Sequence, residues 1–317
     1  MYNTYIWKLK PLSSQMTLWQ SDTIYGHLLY GASLSYGDDY VENLIKQFEE
    51  NPPFIVSDGF IDGMLPMINK GVVKRSDTEE FSKIYGQNQI ETVKKLKEIN
   101  KIKNISIEDF NRLREGNFNK KDFIIEKLKE TKENSKNSTK KTETISVIHN
   151  VINRLNGSTG DNGIFPQKET FINGDIHIFI KVRKDFNIGE LDELLKFVES
   201  NGYGKKVSSG HGAIKRITFE KFDGFKEIKG ADAFITLSNY IPKEFDYDEV
   251  ISCTPLVKKG KVYQYMEFPF KKPFSCFMAG SLFKKSQNKF YGKVLRNVHI
   301  DKKIVQIGIP FTLEVKL

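Results

Sequence analysis

The 317-residue chain carries a formal net charge of +9 and only two cysteines, Cys253 and Cys276, which excludes a disulfide framework and a cysteine-based zinc site. No run of residues approaches the ~18 consecutive apolar positions of a membrane span, and Met1 to Lys10 lacks the apolar stretch of a secretory signal. The expected setting is therefore a reducing cytoplasm, without a membrane. The length suits two domains better than one. The charge is unevenly spread: residues 1–60 hold 3 basic and 7 acidic side chains (net −4), and residues 251–317 hold 13 basic and 3 acidic (net +10). A basic face suits an anionic polymer or an acidic protein partner, although a generally lysine-rich composition would give the same excess.

Tyr5 to Leu12 alternates like a strand. Ser21-Asp22-Thr23 then offers a helix cap, with Ile24, Leu28, Leu29 and Ala32 at helical spacing. A second helix is expected over Tyr40–Glu50, ended by Asn51-Pro52-Pro53, and a strand over Phe54–Phe60. Residues 79–143 are charged and of low complexity, and Glu130 to Glu143 contains no aliphatic residue, so this stretch reads as an insertion with a mobile loop. Within it, Ser106 to Phe110 resembles the capped start of a small helix ending near Gly116. Strand character returns at Ser146–Asn153, before the turn Gly157–Asp161. A strand (Asp175–Val182), a helix (Leu191–Val198) and a strand (Ala213–Phe219) follow. The last third reads mainly as β, at 233–237, 263–268, 274–279, 293–301 and 311–316. The order predicts an α+β protein of two ferredoxin-like, RRM-like domains with helix-backed antiparallel sheets, divided at 1–145 and 146–317.

The stretch Gly202 to Gly212 packs four glycines, two lysines and two serines into eleven residues. Glycine permits positive φ and close backbone approach, while amides, hydroxyls and ammonium groups hold phosphate oxygens. Lys205-Lys206 runs into Val207, so neither the Walker spacing nor the dinucleotide fingerprint is met. The loop suits a polyanion rather than a mononucleotide, and a plain helix-to-strand turn is the simpler reading.

The five histidines, His27, His149, His177, His211 and His299, show no metal-ligand spacing. His27 follows Gly26 on the first predicted helix and could take a 2′-hydroxyl proton. His211 could stack on a base or bond a 2′-hydroxyl. His177 and His299 read as structural or surface residues. Carboxylates do not cluster as a catalytic dyad, and no serine or cysteine nucleophile motif occurs. Neither a cofactor nor a metal is expected. Asn150 and Arg154 lie four apart, on one face if helical. Lys70, Lys74 and Arg75, and the pairs Lys284–Lys285 and Lys293–Arg296, add cations among aromatics, a mixture that suits single-stranded RNA.

Several motifs in this order carry a family likeness. Ser21-Asp22-Thr23-Ile24-Tyr25-Gly26-His27-Leu28 resembles the start of the first helix in the fourth Csm subunit of type III-A CRISPR complexes, a RAMP protein of the Cas-five group. Asp62-Gly63-Met64-Leu65-Pro66 resembles its Leu-Pro motif, although Met67-Ile68 stands where that family often has Lys-Pro. Lys97 to Ile105 with Phe110 and Gly116, His149 to Arg154, Gly157 to Phe165, the glycine loop, Phe277 to Phe283, Gly292 and Gln306 to Phe311 are similar too. The resemblance implies two ferredoxin-like domains and no catalysis. It implies a subunit that holds the 5′ repeat-derived handle of the guide RNA (crRNA) and docks the large Cas subunit with its Palm domain and a backbone RAMP subunit. A thumb-like hairpin is implied without a place in the sequence. The RNA-contacting residues would be Gly204, Lys205, Lys206, Ser208, Ser209, Gly210 and His211 in the loop, Asn150 and Arg154, and Ser21, Asp22 and Tyr25 at the helix start, whose N–H groups suit a phosphate. Two rivals stay open: a repeat-processing endoribonuclease of the Cas-six kind with His27 as base, and a protein-only adaptor.

Overall fold

The computed structural model describes residues 1–70, 77–86, 88–133, 141–262, 267–286 and 290–317. In chain order these form β1 (Tyr2–Pro11), α1 (Ser21–Tyr36), α2 (Asp38–Glu50), β2 (Phe54–Ile61), β3 (Leu65–Pro66), α3 (Asp77–Tyr85), α4 (Gln89–Ile99), β4 (Asn104–Ile105), α5 (Ile107–Arg114) and α6 (Lys120–Glu133). A hairpin, β5 (Thr142–Ile152) and β6 (Thr159–Ile172), precedes β7 (Ile176–Arg183), α7 (Ile188–Asn201) and β8 (Ile214–Lys221). The last part is β9 (Ala233–Thr236), β10 (Val250–Ser252), β11 (Pro255–Lys258), β12 (Phe274–Phe277), β13 (Leu282–Lys284), β14 (Val294–Leu295), β15 (Gln306–Ile307) and β16 (Thr312–Val315).

The first sheet has the order β2-β7-β1-β8, antiparallel throughout. Its central strand β7 buries Ile176, Ile178, Ile180 and Val182 on one face and Phe179 on the other, because successive side chains point to opposite faces. Helices α1 and α7 contribute Ile24, Leu28, Ala32, Leu191, Leu194, Leu195 and Val198 to the same core. This sheet takes β1 and β2 from before residue 145 and β7 and β8 from after it, so the division expected at 145/146 runs through one structural unit. The physical reason is non-local pairing: β1 lies between the two returning strands, and a charged insertion leaves the sheet and comes back.

The insertion is more ordered than its composition suggests. Residues 77–133 form four helices, and Phe81, Phe110, Leu113, Phe123 and Leu128 are buried. The helix expected after Ser106 is α5, where Ser106 Oγ accepts the Asp109 N–H at 3.1 Å. Residues 134–140 of the expected loop, Lys74 and Arg75, and residues 263–266 of an expected strand lie outside the described residues.

The second sheet has the order β10-β13-β9-β16, again antiparallel. It is not backed by helices of its own, contrary to expectation: the described residues after Asn201 contain no α-helix. Aromatic rings cover it instead, with Phe234 and Tyr291 stacked at 4.0 Å and Tyr240 edge-on to Phe283 at 5.1 Å. Its edge strand β16 would leave carbonyls unpaired, a liability for any sheet edge. Three cations from elsewhere cap them: Lys181 Nζ donates to Thr312 O (2.5 Å), Arg114 Nε to Glu314 O (2.8 Å) and Lys70 Nζ to Lys316 O (3.0 Å). The acidic beginning and basic end of the chain also meet: Arg296 pairs with Glu49 (2.6 Å), Lys303 with Asp38 (2.7 Å) and Lys258 with Asp22 (2.7 Å). Part of the charge asymmetry is therefore spent within the molecule.

Candidate nucleic-acid interface

Helix α7 ends at Asn201, and Gly202 turns the chain with φ +78°. Tyr203 anchors the loop: its ring stacks on Trp19 with centroids 3.8 Å apart, and its hydroxyl donates to Leu18 O at 2.8 Å. Gly212 closes it, where a Cβ would sit 2.1 Å from the Tyr203 carbonyl oxygen, so only glycine fits. The Gly204 N–H donates to His27 Nε2 (3.1 Å) and the Lys205 N–H to Thr17 Oγ1 (3.0 Å). Between these anchors Lys205, Lys206, Ser208, Ser209 and Gly210 are exposed. Lys206 adopts a left-handed conformation (φ 61°, ψ 27°) ahead of a short 3-10 turn over Val207–Ser209. Within the turn, the Ser209 N–H donates to Lys206 O (2.9 Å) and the Gly210 N–H to Val207 O (3.0 Å). Lys205 and Lys206 stand side by side at this turn, both exposed.

His211 departs from expectation. Its side chain is only 12 % exposed, with Nδ1 2.8 Å from Ser14 Oγ and 3.7 Å from Glu169 Oε2. It faces inward, which does not suit the base stacking expected of it.

The helix-start residues also depart. Ser21 is buried, its N–H donates to Asp58 Oδ1 at 2.7 Å, and its Oγ accepts from the Asn239 N–H. Asp22 accepts from Lys258 Nζ and Asn239 Nδ2. The buried Tyr25 hydroxyl accepts the Val56 N–H at 2.9 Å. A carboxylate from β2 thus fills the α1 N-terminus where a phosphate was expected; Ser21 and Asp22 tie α1 to Asn239 and Lys258, and Tyr25 ties it to β2. His27 is buried as well, and burial pushes its pKa down to about 4. Its Nε2 lone pair is taken by the Gly204 N–H. Among the described residues no group of three histidine, cysteine or carboxylate side chains could hold a metal.

Asn150 and Arg154 belong to the β5–β6 hairpin and do not share a helical face. Asn150 is exposed opposite Ile164, and Arg154 is exposed in the turn at the tip. The hairpin pairs Thr142 through Ile152 with Ile172 through Thr159 and belongs to neither four-stranded sheet. It leaves Ile148 75 %, Ile164 65 % and Leu155 97 % exposed. At its base, Glu169 is 6 % exposed. Oε2 accepts the Ser14 hydroxyl at 2.8 Å, and Oε1 lies 3.2 Å from His149 Nε2. The Ser14 hydroxyl, then both imidazoles, hold its carboxyl below the usual range against the opposing effect of burial. Sequence reasoning missed Glu169, Ser14 and Thr17. It also missed the hairpin as a unit, although alternating runs on either side of Asn153–Ser158 are its signal.

No family model and no curated protein matches the chain. Solved structures match it over its whole length. It is similar to a chain of the "Csm3-Csm4 subcomplex in the type III-A CRISPR-Cas interference complex", with a TM-score of 0.65 and 15% identity, covering 100% of both chains. It is also similar to a chain of the Csm1-Csm4 cassette in complex with pppApA (TM-score 0.61, 15% identity, 100% of this chain and 99% of that one) and in complex with AMPPNP (0.60, 16%, 100% and 99%). Csm4 is the component those structures share. The resemblance seen in the sequence motifs is therefore matched by the fold of the whole chain, an α+β arrangement of antiparallel sheets.

Proposed function

We propose that this chain is the fourth subunit of a Csm effector complex and serves there as a non-catalytic RNA clamp. The observation that carries the reading is the exposed cationic loop Lys205–Gly210 beside a long hairpin that joins neither sheet. Lys205 and Lys206 neutralise phosphates of the crRNA 5′ handle, and Ser208 and Ser209 add hydroxyl contacts. The hairpin acts as the thumb. Its exposed Ile148 and Leu155 press between neighbouring bases, and Asn150 and Arg154 bond the strand they splay. The shared strand order of the two sheets supports two ferredoxin-like domains, the first formed by β1–β2 and β7–β8 and the second by β9, β10, β13 and β16. The companions of Csm4 in the solved structures, Csm1 and Csm3, point to a large Cas subunit with a Palm domain and a backbone RAMP subunit as partners. The engaged lone pair of His27 argues against the endoribonuclease reading.

The test is RNA binding by Lys205→Glu/Lys206→Glu, measured by anisotropy with labelled repeat RNA over a salt series. The expected result is at least about tenfold weaker binding. The slope of log K against log salt should shrink by about 1.4, at ~0.7 per lost single-strand phosphate contact. Unchanged binding at every salt would overturn the reading. Cleavage of the repeat RNA that disappears in His27→Ala would favour the nuclease instead.

A further inference from the structure

The glycine loop and the hairpin are far apart in sequence, yet both rest on one short segment, Leu12–Gln15. On one side, Ser14 O accepts the Gly212 N–H (2.9 Å), Ser13 Oγ accepts the Ala213 N–H (2.9 Å), and the Leu12 N–H donates to Ala213 O (2.8 Å). On the other side, Gln15 and Thr170 exchange both backbone hydrogen bonds, at 2.7 and 3.0 Å. Glu169 adds a side-chain connection across this segment. Its Oε2 receives the Ser14 hydroxyl, and that hydroxyl oxygen lies 2.8 Å from His211 Nδ1 of the loop. Its Oε1 lies 3.2 Å from His149 Nε2 of the opposite hairpin strand. With both imidazoles donating, the direction is consistent along the whole chain: His211 to Ser14, Ser14 to Glu169, His149 to Glu169. Hydrogen bonds to an ionised acceptor are the strong ones, and this acceptor is shielded from water.

A free-standing two-stranded hairpin is marginal in water. Three elements converge on one buried carboxylate here, and no other side chain among the described hydrogen bonds links strand β5, strand β6 and the 12–15 segment to the loop.

We infer that Glu169 is a positioning residue that locks the thumb hairpin onto the glycine loop, so that the two grip one RNA strand as a single rigid unit. The inference rests on the RNA-clamp reading for its consequence, but the lock itself exists without RNA. Glu169 touches no RNA. It fixes the spacing between the phosphate-binding loop and the hairpin, and with it the number of nucleotides held between them. The hairpin's apolar tip is thereby presented at a defined distance from the exposed Lys205, Lys206 and Ser208.

The test uses the full chain in two arms, on the parent protein, Glu169→Ala and the isosteric Glu169→Gln, which keeps one acceptor and is retained in case the alanine variant fails to fold. In the first arm, hydrogen exchange is followed without RNA. Glu169→Ala should speed exchange at least about tenfold in both 142–172 and 202–212 while β1 and β7 stay protected, and Glu169→Gln should show a smaller rise in both. Faster exchange in only one segment, or in neither, overturns the lock. In the second arm, the RNA-binding losses of Asn150→Ala and Lys206→Ala are combined in a double-mutant cycle. The two losses should be non-additive in the parent protein and additive in the Glu169→Ala background. Additivity in the parent also overturns the inference. Should no variant, nor the parent, bind repeat RNA, the RNA-clamp reading fails and the exchange arm alone decides the lock.

Discussion

The two four-stranded sheets have the same strand order, second-third-first-fourth, and are covered in opposite ways. In the first, strands of eight to ten residues are backed by α1 and α7. In the second, strands of three or four residues are covered by rings: Phe234, Tyr240, Phe277, Phe283 and Tyr291. Strand order therefore does not require helices. It requires apolar cover, and five aromatic side chains, each burying a large area, replace the helical layer. The replacement has a consequence. Short strands bring few ladder bonds, so the second sheet depends on its dock to the first, through the β16 carbonyls capped by Lys181, Arg114 and Lys70, and through Phe311.

The largest effect expected from breaking this dependence is that of Phe311→Ala. Phe311 is fully buried, with its ring centroid 6.4 Å from that of Phe179 on the first sheet and 6.1 Å from that of Phe225, and with Lys181 Nζ 4.9 Å away. Truncating such a ring costs about 3–5 kcal/mol. If the second sheet leans on the first, denaturant should release the amides of β9 and β13 before those of β1 and β7. Simultaneous release, with a loss under about 1 kcal/mol, would show that the aromatic layer is self-sufficient.

The same contrast explains what could be read in the sequence. β1, α1, β7, α7 and β8 were legible because period-2 and period-3.6 patterns run long enough to stand out. In the second sheet three-residue strands leave no period, and the expected strand at 293–301 reduces to Val294–Leu295. The charged run before residue 143 imitates a linker, but the pairing of β1 with β7 and β8, far along the chain, is invisible to local patterns. The site divides likewise. Lys205, Lys206, Ser208 and Ser209 emerged where the composition pointed, on an exposed loop. Ser21-Asp22-Thr23 reads as a helix start whether the N-terminus faces solvent or a carboxylate, and only the fold brings Asp58 to it. Glu169 sits in an unremarkable Lys-Glu-Thr run, and its meaning arises from the convergence of three segments.

A smaller effect is expected at the junction of α1 with the sheets, and it depends on pH. Burial pushes the Asp58 carboxyl up to about 7, against the Ser21 N–H that favours its ionised form. Between about pH 4 and 7 the folded chain keeps a proton that the unfolded chain releases, so this group's contribution to stability falls as pH rises through that window. His27 acts in the opposite sense. It stays neutral in the fold down to about pH 4 while the unfolded chain takes up a proton below about 6.5, so its contribution rises with pH from 4 to 6.5. In the parent protein the two largely offset each other. Asp58→Asn keeps an oxygen for the Ser21 N–H and removes the falling limb. Its stability should climb by about 3 kcal/mol more than the parent's between pH 4 and 7, measured by urea unfolding at fixed pH. Parallel pH curves would mean that Asp58 is already ionised and that the carboxylate is held by its amide partner rather than opposed by burial.

The smallest effect belongs to the surface pairs that join the acidic beginning of the chain to its basic end. Arg296 reaches Glu49 at 2.6 Å with both side chains about one-third exposed, and Glu42 at 3.4 Å. Exposed pairs of this kind contribute about 0.2–1 kcal/mol, because water and salt screen them and ordering two long side chains costs entropy. Arg296→Ala should therefore lower stability by about 0.5 kcal/mol, and the difference should vanish in about 0.5 M salt. A loss several times larger that persisted in salt would mean that charge, rather than Phe311 and the capped edge of β16, holds the second sheet in place. Every cation nominated for RNA on the basic C-terminal end would then have to be reconsidered as a structural group.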